Sequence, residues 1–370
     1  MTADEFKTFV KANGVKKAAQ EVDVVTTGTF GAMCSSGAYI NFGHSEPPIK
    51  MQKIWLDGIP AQAGLAAVDG YIGATSLDET NNMTRGGAHV IEDLVRGRAV
   101  RLRATGYGTD CYPRKEIDTY VSLRTVNQAV LMNVRNAYQN YGVATNSSPK
   151  TLYTYMGKLL PEFGNATFSS AGELSPLLND PYYRTIGIGT RIFLGGTQGY
   201  VMWEGTQFYP GAPRTPNGVP KRPAGTLAVI GDLKQMNPEF VKGLTFTRYG
   251  TSLGIGIGVP IPILDEDMAR CCAVTNSDIL ATVLDYGHAT RSRPVLREVS
   301  YSDLRSGEIE IKGKRVPTSS LSSLYKARKV SEVLKSWILK GEFTIQEPVQ
   351  SFPRDRQLKA LDVRTEKEAT

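Results

Sequence analysis

From about residue 151 to residue 262 the apolar runs are short, and glycine or proline cuts each of them: RTIGIGTRIFLGGTQGYVMWEGTQF, then GTLAVIGDL, then GIGIGVPIPIL. Runs of this length between turn residues read as strands joined by tight bends. The 37 glycines in 370 residues exceed the usual share of about 7%. They cluster with Ser, Thr and Pro between the apolar runs, so a site built from loops is expected. Regular βαβ alternation is scarce. The expected fold class is therefore α+β, with one or more mixed β-sheets, packed helices and a Gly-rich, loop-built site.

Helical texture is confined to a few stretches. Residues 3–20 suit an amphipathic helix with Phe6, Phe9, Val10 and Val15 on its apolar side. Val126, Val130, Val134 and Tyr138 recur at spacing four, so a helix is expected over 125–141. A C-terminal amphipathic helix is expected at about 321–340. Leu321, Leu324, Val330, Val333, Leu334, Trp337 and Ile338 form its apolar side; Lys326, Arg328, Lys329 and Lys335 form a basic face that is either solvated or a docking surface. Just before it, EIEIKGKRV at 308–316 reads as a hairpin turning at Lys312-Gly313. The repeated Gly-Thr-Gln at 196–198 and 205–207 reads as a pair of hairpin loops. One domain over 1–355 is expected, with a sub-domain boundary near 150 in Asn146-Ser147-Ser148-Pro149 and a frayed tail over 356–370.

Composition removes several function classes. No run of about 18 apolar residues exists, so a membrane span is not expected. The start, MTADEFKTFVKANG, lacks an apolar secretory core, so a cytoplasmic protein is expected. The net charge of +7 is spread along the chain, although residues 301–370 carry 14 basic and 10 acidic side chains. Neither a basic stripe nor a nucleic-acid module is visible. A basic surface does suit an acidic protein partner. Gly254, Gly256 and Gly258 fail the dinucleotide spacing, and Pro260 blocks a following helix. No Walker sequence occurs, so no flavin, nicotinamide or nucleotide site is expected.

Four cysteines, Cys34, Cys111, Cys271 and Cys272, are too sparse for a disulfide framework. No CxxC is present, so a metal or cluster would draw on cysteines distant in sequence. Val22, Val24, Val25, Thr26 and Thr27 read as a buried strand running into a bend of Gly28, Gly31, Ser35, Ser36 and Gly37. Backbone N–H groups exposed in such a bend stabilise a thiolate, which makes Cys34 a candidate nucleophile; a buried structural cysteine is the alternative. Val100, Leu102 and Ala104 alternate with Arg101, Arg103 and Thr105, a half-buried strand that ends in the turn Gly106–Asp110 ahead of Cys111. Arg114 and Lys115 follow, and nearby cations activate a thiol. Cys271 and Cys272, behind the helix start Asp265-Glu266-Asp267, read as packing residues. His44 closes the Cys34 segment and His89 follows Arg85-Gly86-Gly87; each is either an acid–base group or structural. His288, past a glycine at an expected helix end, is given no role.

These motifs together resemble the homocysteine-biosynthesis family of methanogens and other anaerobes, described as L-aspartate semialdehyde sulfurtransferases. The resemblance runs through VVTTGTFGAMCSSGAYINFGHSEPPIKM at 24–51, GYGTDCYPRKE at 106–116 and RNAYQNYGVATN at 135–146. It continues in GGTQGYVMWEGTQ at 195–207 and LSSLYKARKVSEVLKSWILKGEF at 321–343, covering roughly residues 5–350. It implies a persulfide on Cys111 with Cys34 working beside it. Family members often extend into paired CBS domains or a ferredoxin module, and this chain ends without either. Regulation or electron supply tied to those modules would then come from another protein or be missing.

The implied chemistry adds sulfur to an aldehyde carbonyl, loses water and takes up two electrons. Cys34 attacking the Cys111 persulfide would free the sulfur and leave a disulfide. A sulfur donor and a separate ferredoxin-like electron donor are the implied partners. Arg85 and Arg103, close in sequence to the cysteine motifs, are the candidate cations for the substrate carboxylate. Two alternatives stand beside this reading. Cys34, Cys111 and one of Cys271 or Cys272 would hold an iron–sulfur cluster that carries the sulfur. Or the protein would be a non-catalytic sulfur carrier or scaffold.

Overall fold

A computed structural model describes residues 1–80, 83–136, 139 and 142–363. Helices α1 (Ala3–Asn13) and α2 (Val15–Glu21) open the chain where one helix was expected. Gly14 separates them. Its φ of 82° lies in the left-handed region that glycine enters without steric cost, and its N–H caps the Val10 carbonyl at the end of α1. At the other end, the Thr2 hydroxyl accepts from the Glu5 N–H and the Glu5 carboxylate accepts from the Thr2 N–H.

Strands β1 (Val24–Thr26), β2 (Thr29–Met33), β3 (Ser36–Asn41), β4 (Lys53–Leu56), β5 (Ile59–Ala61) and β6 (Asp69–Gly73) precede helix α3 (Gly87–Val95). Next come β7 (Val100–Thr105), β8 (Glu116–Val121), β9 (Gln128–Asn136), β10 (Val143–Thr145), β11 (Leu152–Thr154), β12 (Gly157–Leu159) and β13 (Ala166–Phe168). After the short helix α4 (Pro176–Asn179) run β14 (Arg191–Leu194), β15 (Thr197–Glu204), β16 (Leu227–Asp232), β17 (Val241–Phe246), β18 (Gly250–Gly258) and β19 (Pro260–Pro262). The chain continues through α5 (Glu266–Cys272), β20 (Leu280–Asp285), β21 (Val295–Ser300), α6 (Tyr301–Arg305), β22 (Glu308–Ile311), β23 (Lys314–Ser320) and α7 (Leu324–Leu339).

The architecture is α+β. The largest sheet runs β17-β18-β14-β15-β16-β9-β3-β6, with β2 as a further partner of β18, and it draws strands from both sides of residue 150. A six-stranded sheet, β21-β20-β10-β13-β23-β22, mixes parallel and antiparallel pairs over a second core. A four-stranded antiparallel sheet, β5-β4-β7-β8, carries the Cys111 hairpin.

Helix α7 lies across β2 and β18. Its buried residues, Ala327, Val330, Ser331 and Leu334, recur at helical spacing. Glycine lets the helix approach: a Cβ at Gly28 would stand 2.2 Å from the Ala327 carbonyl oxygen. The basic residues of α7 are engaged within the chain rather than merely solvated. Arg328 pairs with Asp4, Lys335 with Glu5 and Lys329 with Glu239, while Lys326 donates to the Glu239 carbonyl.

The hairpin over 308–316 forms as read, with Lys312 and Gly313 both at positive φ. Residues 128–136 are strand β9, not a helix. A spacing of four keeps residues on one face of a strand as well as of a helix, and the β-branched valines favour the strand. Tyr138 of that pattern lies outside the described residues. The Gly-Thr-Gln echo resolves into one tight hairpin, β14–β15, turning at Gly195-Gly196. Gly287 and His288 follow strand β20, not a helix.

Candidate functional site

The expected Gly/Ser bend around Cys34 is mostly strand. Only Cys34 and Ser35 turn, and they join β2 to β3. The two strands have different partners: β2 pairs with β18, and β3 pairs with β9. Cys34 therefore sits, exposed, where the chain crosses from one part of the large sheet to another. Gly37 is needed behind it, because a Cβ there would stand 2.2 Å from the Tyr71 hydroxyl.

Register identifies what faces the turn. Met33 is opposite Leu253, so the next residue along β18, Ser252, is aligned with Cys34. Ser252 is 2% exposed, and its hydroxyl has no hydrogen-bond partner among the described residues. Ser36 is opposite Asn133, whose amide donates to the Ser36 hydroxyl at 2.6 Å. Continuing that register aligns Arg135 with Cys34. Between Asn133 and Asn136 the pairing of β9 with β16 is irregular, and two residues of β9, Val134 and Arg135, oppose one of β16. Such a bulge re-aims side chains and is common beside active sites.

Tyrosines line the same end of the sheet. Burial, with the Cys34 thiol as a further cause, raises the Tyr249 pKa. The Tyr155 ring lies 6.4 Å from that of Tyr249, and the Tyr155 and Tyr286 hydroxyls are 2.8 Å apart. Arg293 lies over Tyr286 at 4.4 Å, and Arg248 over Tyr153 at 5.3 Å. Among the described residues Arg135, Arg248 and Arg293 have no ion-pair partner. An approaching carboxylate would displace no ion pair at any of the three.

Cys111 occupies a different place. The loop after β7 closes through Gly106 N–H to the Lys115 carbonyl at 2.7 Å, and Thr109 and Tyr112 exchange backbone hydrogen bonds at 2.9 and 3.0 Å. Cys111 is exposed on that tight turn. The loop is docked on residues 44–50: the Arg114 guanidinium donates to the Glu46 and Pro47 carbonyls, the Arg114 N–H donates to the Pro48 carbonyl, and the Tyr112 ring stacks on His44 at 6.1 Å. Arg114 is thus spent on carbonyls, and His44 belongs to the Cys111 end.

The two thiols are consequently at opposite ends of β3. Cys34 precedes its first residue, and the Cys111 loop is anchored beyond its last. The strand itself spans about 17 Å at the usual rise per residue.

The other expected residues have partners of their own. Arg85 bridges Asp57 and Asp93, each at 2.8 Å, which raises its pKa above the usual value despite burial. Arg103 lies on the outer face of β7 over the Trp55 ring at 5.6 Å. His89 Nδ1 accepts from the Gly86 N–H at the start of α3 and Nε2 meets the Thr245 hydroxyl; burial, then Arg85, lowers its pKa. Cys271 and Cys272 lie on α5, where the Cys272 thiol donates to the Asn179 carbonyl at 3.4 Å. No three His, Cys, Asp or Glu side chains converge on one point among the described residues, so the four cysteines do not fit a cluster. A cavity of about 350 Å³ is lined by Tyr183, Arg184, Phe208, Arg214 and Phe352 and holds neither Cys34 nor Cys111. No helix is long and apolar enough to cross a membrane.

Residues 1–345 match a family described as "Homocysteine biosynthesis enzyme, sulfur-incorporation". The chain is 53% identical over 361 residues to the L-aspartate semialdehyde sulfurtransferase of Methanosarcina acetivorans, covering 98% of this chain and 70% of that protein. It is 52% identical over 369 residues to the L-aspartate semialdehyde sulfurtransferase of Methanocaldococcus jannaschii, covering 96% and 70%. It is 31% identical to an uncharacterised protein of Methanothermobacter thermautotrophicus, over 83% of this chain and 68% of that one. No solved structure matches. A match of this extent settles the kinship: the chain belongs to the homocysteine-biosynthesis, sulfur-incorporation family of enzymes.

Proposed function

We propose that this enzyme transfers sulfur to L-aspartate semialdehyde and yields L-homocysteine, with Cys111 as the sulfur carrier and Cys34 as the thiol that releases the sulfur. The relatives named for that activity carry the substrate assignment. A sulfane-sulfur donor loads Cys111 as a persulfide. The Cys34 thiolate attacks Cys111 Sγ; a Cys34–Cys111 disulfide forms, the S–S bond of the persulfide breaks, and hydrosulfide leaves. Hydrosulfide adds to the aldehyde carbon, water departs, and two electrons with two protons convert the C=S group to the thiol. Two further electrons and two protons reopen the disulfide.

The electrons come from a separate ferredoxin-like protein, and the net charge of +7 favours an acidic partner of that kind. Arg135, Arg248 and Arg293, without ion-pair partners among the described residues, favour an anionic substrate at the Cys34 end. His44, stacked on Tyr112 beside Cys111, is the candidate proton carrier there. Arg85 is the less favoured carboxylate ligand because two aspartates already hold it, and Arg103 because it lies on the four-stranded sheet, apart from the sheet that carries Cys34.

The observation that carries the reading is that both motif cysteines are exposed and unbonded, as a carrier and an attacking thiol must be. The test is the intact mass of anaerobically prepared protein after exposure to a sulfane-sulfur donor, with peptide mapping. A reductant-sensitive gain of one sulfur on Cys111, and loss of homocysteine formation in Cys111→Ala, are expected. Full activity of Cys111→Ala with a reductant supplied would end the proposal.

A further inference from the structure

The geometry points to an active site shared between two copies of the chain, in which the Cys111 loop of one copy meets Cys34 of the other. This deepens the proposed function and rests on its requirement that the two thiols touch. In one chain they lie beyond opposite ends of β3, a strand that spans about 17 Å at the usual rise. Strand directions make the separation firm. β6 runs antiparallel to β3, Gln62 beyond β5 pairs antiparallel with Tyr71 of β6, and β4 and then β7 each reverse direction again. The end of β7, and with it Cys111, thus points away from the Cys34 end.

Swinging the loop across is costly. Its N–H and guanidinium bonds to the carbonyls of residues 46–48, its Gly106–Lys115 closure and the His44–Tyr112 stack would all break. Gly106 is itself pressed against the chain, since a Cβ there would stand 2.6 Å from the Lys50 carbonyl oxygen.

A second copy removes the difficulty. In a two-fold dimer each contact occurs twice with roles exchanged, so docking one Cys111 loop on a Cys34 turn creates two equivalent sites. The two surfaces suit each other. Asp110, next to Cys111, is exposed and has no ion-pair partner among the described residues, whereas the Cys34 end presents Arg135, Arg248 and Arg293 unpaired. Tyr107, 78% exposed on the same loop, is the kind of aromatic that interfaces bury. The covalent step is the one written above, with the attacking Cys34 thiolate and the Cys111 persulfide on different chains.

The experiment co-expresses Cys34→Ala and Cys111→Ala chains with different tags and purifies the mixed dimer through both. Each variant alone is expected to make no homocysteine. The mixed dimer keeps one of its two sites intact and is expected to show about half the wild-type rate per dimer. A mixed dimer as inactive as its parents overturns the inference. A second readout needs no substrate: wild-type protein oxidised with diamide is expected to run at twice the chain mass without reductant, with Cys34 and Cys111 peptides joined. A Cys34–Cys111 crosslink at single-chain mass, or a monomeric mass by light scattering in active enzyme, overturns it. If wild-type protein makes no homocysteine the proposed function fails, and the crosslink still decides whether the two thiols meet between chains.

Discussion

Replacing Arg114 by methionine tests the anchoring of the Cys111 loop. The substitution keeps a long apolar stem and removes two hydrogen bonds from the guanidinium, Nε to the Pro47 carbonyl at 2.9 Å and Nη2 to the Glu46 carbonyl. The backbone bond from the residue 114 N–H to the Pro48 carbonyl at 3.1 Å stays. A bond from a charged donor contributes roughly 1.5–3 kcal/mol when sheltered, but both of these face solvent, so about 0.5–1 kcal/mol each is reasonable. Their loss should favour loop opening by about 1–2 kcal/mol, a factor of roughly 5 to 30 in the open population. Hydrogen exchange read by mass spectrometry on the peptide spanning residues 106–115 reports this directly. The amides of Gly106, Thr109 and Tyr112 close the loop, so their protection should fall by that factor, while a peptide from β9 stays unchanged. Unaltered exchange over 106–115 would refute the claim that Arg114 holds the loop, and with it the argument that the loop cannot reach across the molecule.

Brief iodoacetamide treatment of native protein at pH 8 should modify Cys34 and Cys111 and spare the α5 pair. Burial pushes the Cys271 thiol up to about 11 and the Cys272 thiol further still, leaving only about one Cys271 in a thousand as thiolate at pH 8; mass mapping of the adducts is the check. Asp265, which accepts from the Arg184 guanidinium and caps α5, has its carboxyl held well below the usual range, first by that side-chain bond. Its contribution is present above the ordinary carboxylate pKa of about 3.8 and is lost as pH falls, so Asp265→Asn, which can still cap, should flatten the decline in urea midpoint between pH 4 and pH 2.

Much of the local structure was legible. Alternation in VRLRAT matched β7, where Val100, Leu102 and Ala104 face the core and Arg101 and Arg103 face solvent. Gly313 announced the hairpin, whose two-residue turn holds Lys312 and Gly313 both at positive φ. Asp265 announced the start of α5, and the helical spacing of Leu324, Val330, Val333, Leu334, Trp337 and Ile338 announced α7. The failures have definite causes. Valines at spacing four satisfy both periods, and pairing with β3 and β16 is what makes β9 a strand. Gly14 broke the first helix although the apolar pattern continues past it.

The residues around Cys34 were mostly invisible. Arg135 sat within a motif noted only for its resemblance, and nothing in the chain links Ser252, Tyr155, Tyr249, Tyr286 or Arg293 to a cysteine far away in sequence. Register brings some of them there, and ring contacts add the rest. Arg85 and Arg103, selected for nearness along the chain, have partners that come from strands and turns remote in sequence.

By itself the sequence determined the turn-rich α+β class, the two cysteine motifs and the kinship they signal. Those properties depend on local backbone preferences and on residue identities in short segments. Only the tertiary structure decided that Cys34 and Cys111 stand at opposite ends of one strand. Strand direction and sheet order follow from which edges pair, and pairing depends on long-range packing that no local pattern encodes.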